Sequence, residues 1–271
     1  MTQALLSKLN TTHIDEISSS RNEPDWLKDY RKSSLSIYDG LAIELSPLYN
    51  KYTDAKKMDP EKVSLSTSTT ATVPDFLKKR LSELEKEICI IQIGTNIHKI
   101  NLPDDLKSKG LVVSSISDAI KNNPELVKKA LEASKSEEDK FTALNNAAFN
   151  SGIFIHIPRN LVLEKPVYFL TCLSDDNHSV ISRNIIFADE SSKAAIVQEL
   201  YSPKTEAQQA YLELLNTNLA ANAQLDVTSL QMMDQHAVTF TTRRTDLAQD
   251  SKVNWYSGLF GSMLSRYKIE Y

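Results

Sequence analysis

Glycine is scarce. Six occur in 271 residues: Gly40, Gly94, Gly110, Gly152, Gly258 and Gly261. No GxxxxGK(S/T) can be built from them, which excludes a P-loop, and no GxGxxG exists for a dinucleotide turn. GxSxG, the hydrolase elbow, is missing. HExxH and any tight His/Cys metal cluster are missing too. Cysteine occurs twice, Cys89 and Cys172, far apart and without a CxxC. That argues against a disulfide framework and fits a reducing compartment. The opening "MTQALLSKLN" lacks the long apolar run of a signal peptide. The densest apolar stretches, "ICIIQI" and "VYFLTCL", are too short to cross a bilayer. Net charge is −4 and the isoelectric point is near 5.8, so there is no broad basic field. Nucleic acid is not favoured as a partner. These absences together predict a cytoplasmic protein with neither a membrane nor a nucleic acid as partner.

The composition that remains is globular, 41% hydrophobic and 24% charged. Residues 1–150 read as a helical or mixed region. "NEPDWLKDYRKSSLSIYDG" offers Asn22 as N-cap and Pro24 in the first turn. Trp26, Leu27, Tyr30, Ile37, Tyr38 and Leu41 recur at helical spacing, and Gly40 is placed to end the helix. The stretch 53–72, including "VSLSTSTTAT", is Ser/Thr-rich and aperiodic, which predicts a linker or mobile loop. "VPDFLKKRLSELEKEI" then sets Phe76, Leu77, Leu81, Leu84 and Ile88 on one helical face. "ICIIQI" and "IHKINL" flank Gly94–Asn96 as a hairpin, and "GLVVSSI" reads as a further strand. "SDAIKNNPELVKKALEA" carries a Ser cap and breaks at Pro124. "SEEDKFTALNNAAFNSG" reads as another helix, with Phe141, Leu144 and Ala148 facing inward.

After Gly152 the helical signal fades and short β-prone segments follow each other to residue 271. Three of them echo. "SSKAAIVQE", "NAQLDVTSL" and "DSKVNWYSG" place Ser192, Ala223 and Ser251 at their heads, 31 and then 28 residues apart. Ala194 and Ile196 match Leu225 and Val227, and then Val253 and Trp255. "KPVYF" extends the series, with Pro166 and Tyr168 placed 28 residues before Ala194 and Ile196. A strand recurring at this interval predicts a coil of parallel strands in which each turn buries its neighbour's apolar face. A β-sandwich, whose strands also alternate and recur, is the competing architecture.

"SEEDKFTALNNAAFNSGIFIHIPRNLVLEKPVYF" resembles a signature of the SufB/SufD family, scaffold components of the SUF iron–sulfur cluster assembly system. The matching residues are Asp139, Lys140, Phe141, Ala143, Leu144, Asn145, Ala147, Phe149, Gly152, Phe154, Ile155 and Pro158. "TFTTRRTDLAQDSKVNWYSGLFGSMLSRYKIEY" is similar to a later family segment, and "NEPDWLKDYRKSSLSIY" to the family's N-terminal pattern. The resemblance implies a mainly β protein: an α or α/β N-terminal region, then a right-handed parallel β-helix wound as a single solenoid over 151–271. It also implies that the chain ends inside the coil, as a shortened form of the family pattern.

SufB-type members carry a cysteine in a segment similar to "QELYSPKTEAQQAYLELLN". Here Tyr201 and Ser202 stand where that thiol is expected, and Tyr211 stands near a histidine position. A thiolate is the soft ligand for sulfur species and iron. Its loss makes the chain more SufD-like. The resemblance then implies a non-catalytic scaffold in a SufBCD-type complex, forming a dimer platform with a SufB-like or self β-helix partner. In a full-length form it implies docking to SufC, the ABC-type ATPase that would own the ATP hydrolysis. It implies no cofactor in this chain alone and admits an iron–sulfur cluster or reduced flavin only in the full complex. The alternatives are a β-helix polysaccharide-active enzyme and a structural or interaction solenoid.

Single residues add little. Cys172 and His178 are the weak candidates for a metal pair, against a buried thiol beside a loop histidine. Cys89 reads as an apolar strand position. His156, which alternates with Ile155 and Ile157, reads as exposed or as satisfied by a contact, and His236 reads as part of a corner. Arg243, Arg244 and Asp246 read as a salt-bridged turn, with an anion or flavin phosphate as the rival. Glu199, Glu213 and Asp226 lie on separate segments, so no general acid or base is assigned.

Overall fold

The computed structural model describes residues 5–42, 54–65, 72–174 and 178–271. Its core is a parallel β-solenoid of about four turns, built from two facing sheets. Each turn contributes one strand to each sheet. Sheet A holds β5 (Ile153–Ile157), β7 (His178–Ala188), β9 (Gln209–Leu219), β11 (Ala237–Leu247) and β13 (Leu264–Glu270), all parallel. Sheet B holds β6 (Val167–Cys172), β8 (Lys193–Tyr201), β10 (Gln224–Met233) and β12 (Lys252–Gly261), also parallel. The sandwich alternative falls on this parallel order.

The repeat is a true register. Gln224 pairs with both Lys193 and Lys252, which sets Ser192, Ala223 and Ser251 in one column. Amides of the following residues close that column, Gln224 onto the Ser192 carbonyl and Lys252 onto the Ala223 carbonyl. One residue earlier the chain turns left-handed on every rung, at Asn160, Ser191, Asn222 and Asp250, with φ of 63°, 59°, 61° and 57°. Short polar side chains tolerate that conformation best after glycine, so a solenoid can be built with little glycine. The first rung departs from expectation. Val167, not Tyr168, pairs with Ile196. The run from Leu163 to Pro166 shifts the phase by one residue, and such a shift exchanges the two faces of a strand. Val167 is accordingly buried and Tyr168 half-buried.

The N-terminal part caps the first turn and covers the sheets. β2 (Ile88–Ile93) extends sheet B beside β6 and forms the expected hairpin with β3 (Asn96–Asn101). β4 (Val112–Ser115) pairs antiparallel with β5. α1 (Thr11–Ser20), α2 (Asp25–Gly40) and α7 (Lys140–Ala148) share a core with the outer face of sheet A, among them Leu27, Leu35, Leu144, Ile181, Leu212 and Phe240. α3 (Asp75–Glu83) lies over the outer face of sheet B. α4 (Asp104–Ser108), α5 (Ile116–Asn122) and α6 (Pro124–Glu132) complete the order.

Several local expectations are corrected. Pro24, not Asn22, occupies the N-cap of α2, and Asn22 sits at φ 51° in the turn before it. The cap of α5 is Ser115, whose hydroxyl accepts from the Asp118 amide at 3.0 Å. α3 ends at Glu83, so Ile88 belongs to β2, and Phe76 is 52% exposed. The Ser/Thr-rich stretch is not a plain linker over residues 54–65. There Ala55, Met58, Val63 and Leu65 are buried, and β1 (Ser64–Leu65) pairs in parallel with the start of β7. Residues 66–71 of that stretch lie outside the described residues.

The "DKFTALNNAAFNSG" segment ties the helices to the coil. Asp139 caps α7 by accepting from the Phe141 and Thr142 amides at 2.9 and 2.8 Å. Phe141 stacks on Phe240 at 4.1 Å. Asn145 donates to the Ser182 carbonyl of β7 at 2.9 Å. Gly152 has φ 147°, and any Cβ there would collide with the Arg183 carbonyl. That position therefore requires glycine.

Candidate functional site

Strand alternation fills both ends of the solenoid interior with apolar side chains and leaves a polar patch between them. Ile196, Val227, Ile186 and Leu215 belong to one apolar end, and Val180, Leu200 and Met233 to the other. Between them, Glu213 on β9 is buried and points inward. Its Oε1 accepts from Asn184 Nδ2 at 2.7 Å, from Tyr211 OH at 3.1 Å and from Gln198 Nε2. Its Oε2 faces Arg243 Nε at 3.9 Å, an ion pair beyond hydrogen-bond length. Arg243 is buried on β11. It donates to Gln198 Oε1 at 3.1 Å and Ser257 Oγ at 3.3 Å, and its guanidinium lies 5.0 Å from the Trp255 ring and 4.9 Å from the Tyr267 ring. Ser229 donates to the same Gln198 oxygen at 2.9 Å. A neighbouring set joins Gln231, Thr239, Ser265 and Tyr267.

The electrostatics follow from burial. Tyr211 is held well above the ordinary phenol value, first by desolvation and then by the Glu213 charge. Burial likewise raises Tyr267, with Arg243 opposing it. The arrangement fixes one negative and one positive group inside a dry coil.

Arg243 and Arg244 are not in a turn. Both lie within β11, and alternation sends them to opposite sides. Arg244 pairs outside with Glu138 and with Glu270. The three carboxylates also separate. Glu213 faces the interior, Glu199 meets Arg80 on the outer face of sheet B, and Asp226 accepts from Asn254 Nδ2 at 2.6 Å. The convergence of Glu213 with Arg243 was legible only through the rung register: each is an alternate, inward position of a sheet A strand.

Tyr201 and Ser202 line an open groove of about 1160 Å³ at the corners leading into β9 and β11. Phe76, Lys204, Met232, Met233 and His236 share its walls. Tyr201 OH donates to Glu199 Oε2 at 2.9 Å, and burial followed by the Glu199 charge raises its pKa. His236 does sit at the corner, 3.0 Å from Asp234 Oδ1, and His156 contacts Asp189 at 2.8 Å. Cys172 is buried on the outer face of sheet B beneath α3, and burial pushes its thiol up to about 12. His178 opens β7 in the other sheet. Among the described residues no three His, Cys, Asp or Glu side chains group to hold a metal, and no helix is long and apolar enough to cross a membrane.

Comparison with known proteins agrees with this architecture. Residues 171–271 match the family model described as "SUF system FeS cluster assembly, SufBD core domain", and residues 45–169 match "SufBD protein N-terminal region". A protein of Staphylococcus aureus (strain USA300) named "Iron-sulfur cluster assembly SufBD family protein" is 24% identical over 269 residues, covering 93% of this chain and 57% of its own length. A like-named protein of Staphylococcus saprophyticus is 23% identical over 268 residues, with the same coverage of 93% and 57%. The chain thus spans 57% of the length of the curated relatives it matches.

Proposed function

The chain belongs to the SufB/SufD family of iron–sulfur cluster assembly proteins, and from that premise we propose that it is a SufD-like scaffold. In this reading it performs no chemistry of its own. It supplies a rigid β-solenoid against which a SufB-like partner packs, and the ATP hydrolysis belongs to SufC. The iron–sulfur cluster is cargo of the assembled complex.

One observation carries the SufD-like reading. The outward position that resembles the SufB thiol site is Tyr201, hydrogen-bonded to a carboxylate that Arg80 already holds. A phenol with a raised pKa is neither a sulfur acceptor nor a soft iron ligand. The interior supports the same reading. Glu213 and Arg243 consume each other's charge inside the coil and are not presented to a substrate.

The test is co-expression with a SufB-like subunit and SufC, followed by size-exclusion chromatography and cluster reconstitution from ferrous iron and sulfide. The expected result is co-elution with the SufB-like subunit, with cluster formation that survives Tyr201→Phe. Elution as an isolated chain, or turnover of a polyuronide by the chain alone, overturns it.

A further inference from the structure

α3 is attached to sheet B by few contacts. Within the helix only Leu77 is fully buried, and Leu84 follows just after its end. The remaining anchor is one charged clasp. Arg80 Nε donates to both carboxylate oxygens of Glu199, at 3.2 and 3.0 Å, and its guanidinium lies 5.4 Å from the Tyr168 ring. Glu199 is buried, whereas Arg80 is partly exposed. A segment held by so few buried apolar groups opens below the free energy of global unfolding.

Both cysteines of the chain lie in the small core under this helix, with Leu77, Leu84, Ile91, Ile93 and Leu170. Cys89 Sγ contacts the Leu84 carbonyl at 3.6 Å. Cys172 is the rung partner of Tyr201, and Tyr201 is a wall of the groove. Phe76, at the first turn of α3, is the facing wall, its ring 6.4 Å from that of Tyr201. The helix is therefore both the roof over the thiols and one side of the groove.

We propose that α3 is a hinged cover on sheet B, held shut by the Arg80–Glu199 clasp, whose release joins the groove to the surface beneath and uncovers Cys89 and Cys172. This does not rest on the scaffold reading. Closed, the cover keeps both thiols inert, since burial raises each of them. Open, it exposes a continuous outer face running from β2 through β6 to β8.

The two cysteines report the motion. The full chain is treated with iodoacetamide and the product followed by intact mass and peptide mapping, with the global unfolding rate measured separately by circular dichroism. The readout is the ratio of alkylation rate to unfolding rate. Both thiols of the wild-type protein should react faster than the chain unfolds. Arg80→Ala should raise the ratio about tenfold or more, as expected for losing a charged hydrogen-bonded pair. Arg80→Lys, which keeps charge but loses the fork, should fall between. Arg159→Ala, which breaks a clasp at a distant corner, should leave the ratio unchanged. Alkylation no faster than unfolding overturns the proposal. So does an unchanged ratio in both Arg80 variants, because a variant that only loses stability moves both rates together.

Discussion

Glu213 and Arg243 show how a single buried charge depends on its partner. Each is fully enclosed, and each retains an atom directed at the other. Removing one leaves the other charged and uncompensated, which costs about 3–5 kcal/mol. Glu213→Ala should therefore lower the urea midpoint strongly, while Glu213→Leu combined with Arg243→Leu should recover much of the loss. Additive losses in a double-mutant cycle would show that the two do not act as a pair. Glu23 offers a second test, through pH. Burial pushes its carboxyl up, but the Arg31 charge and hydrogen bonds push it further down, so it lies below the ordinary 4.5. A lowered carboxylate contributes stability that is present above its unfolded value and is lost as pH falls through the folded one. The stability gap between the wild type and Glu23→Gln should hold near neutral pH and close below about pH 4.5. Parallel curves down to about pH 3 would mean that the pair contributes no pH-dependent stability.

At the level of elements, the corners set the register. The Ser192, Ala223 and Ser251 column was legible because small residues and alternation recur together on three rungs. The phase of the first rung was not, because Leu163 to Pro166 lengthen one corner and only the pairing shows which face survives. The inward side of β11 was hidden for a similar reason. "TTRR" looks like a polar turn until its alternation is set against β9, whereupon Arg243 falls inside and Arg244 outside. The left-handed corner residues make this argument testable. Ser191 adopts φ 59° with a side chain poorly suited to it. Ser191→Gly should raise stability by about 1 kcal/mol by relieving that strain. Asn222→Val, at the same place one rung on, should lower it by a similar amount or more. A Ser191→Gly variant that loses stability would show that the serine hydroxyl, not the backbone, holds the corner.

Across the whole molecule, a solenoid has no single centre. Each rung contacts only its neighbours, so stability is nearly a sum of rung and interface contributions. The two faces of the stack are covered unequally. Helices lie over the outer face of sheet A along much of its length, whereas the outer face of sheet B beyond α3 carries Tyr256 and Phe260, 55% and 62% exposed. β12 and β13 are the last described rungs, each paired on one side only. β9 and β10 are paired on both sides. Hydrogen exchange of the isolated chain should therefore show a gradient along the axis: β9 and β10 protected to near the global limit, β12 and β13 exchanging through local opening. Within the final turn β13 should outlast β12, since Leu264 is buried in the helix-covered core and most of β12 is not. Uniform protection through all rungs would mean that the chain unfolds as one cooperative unit, and that the helical layer, not rung-to-rung stacking, sets its stability.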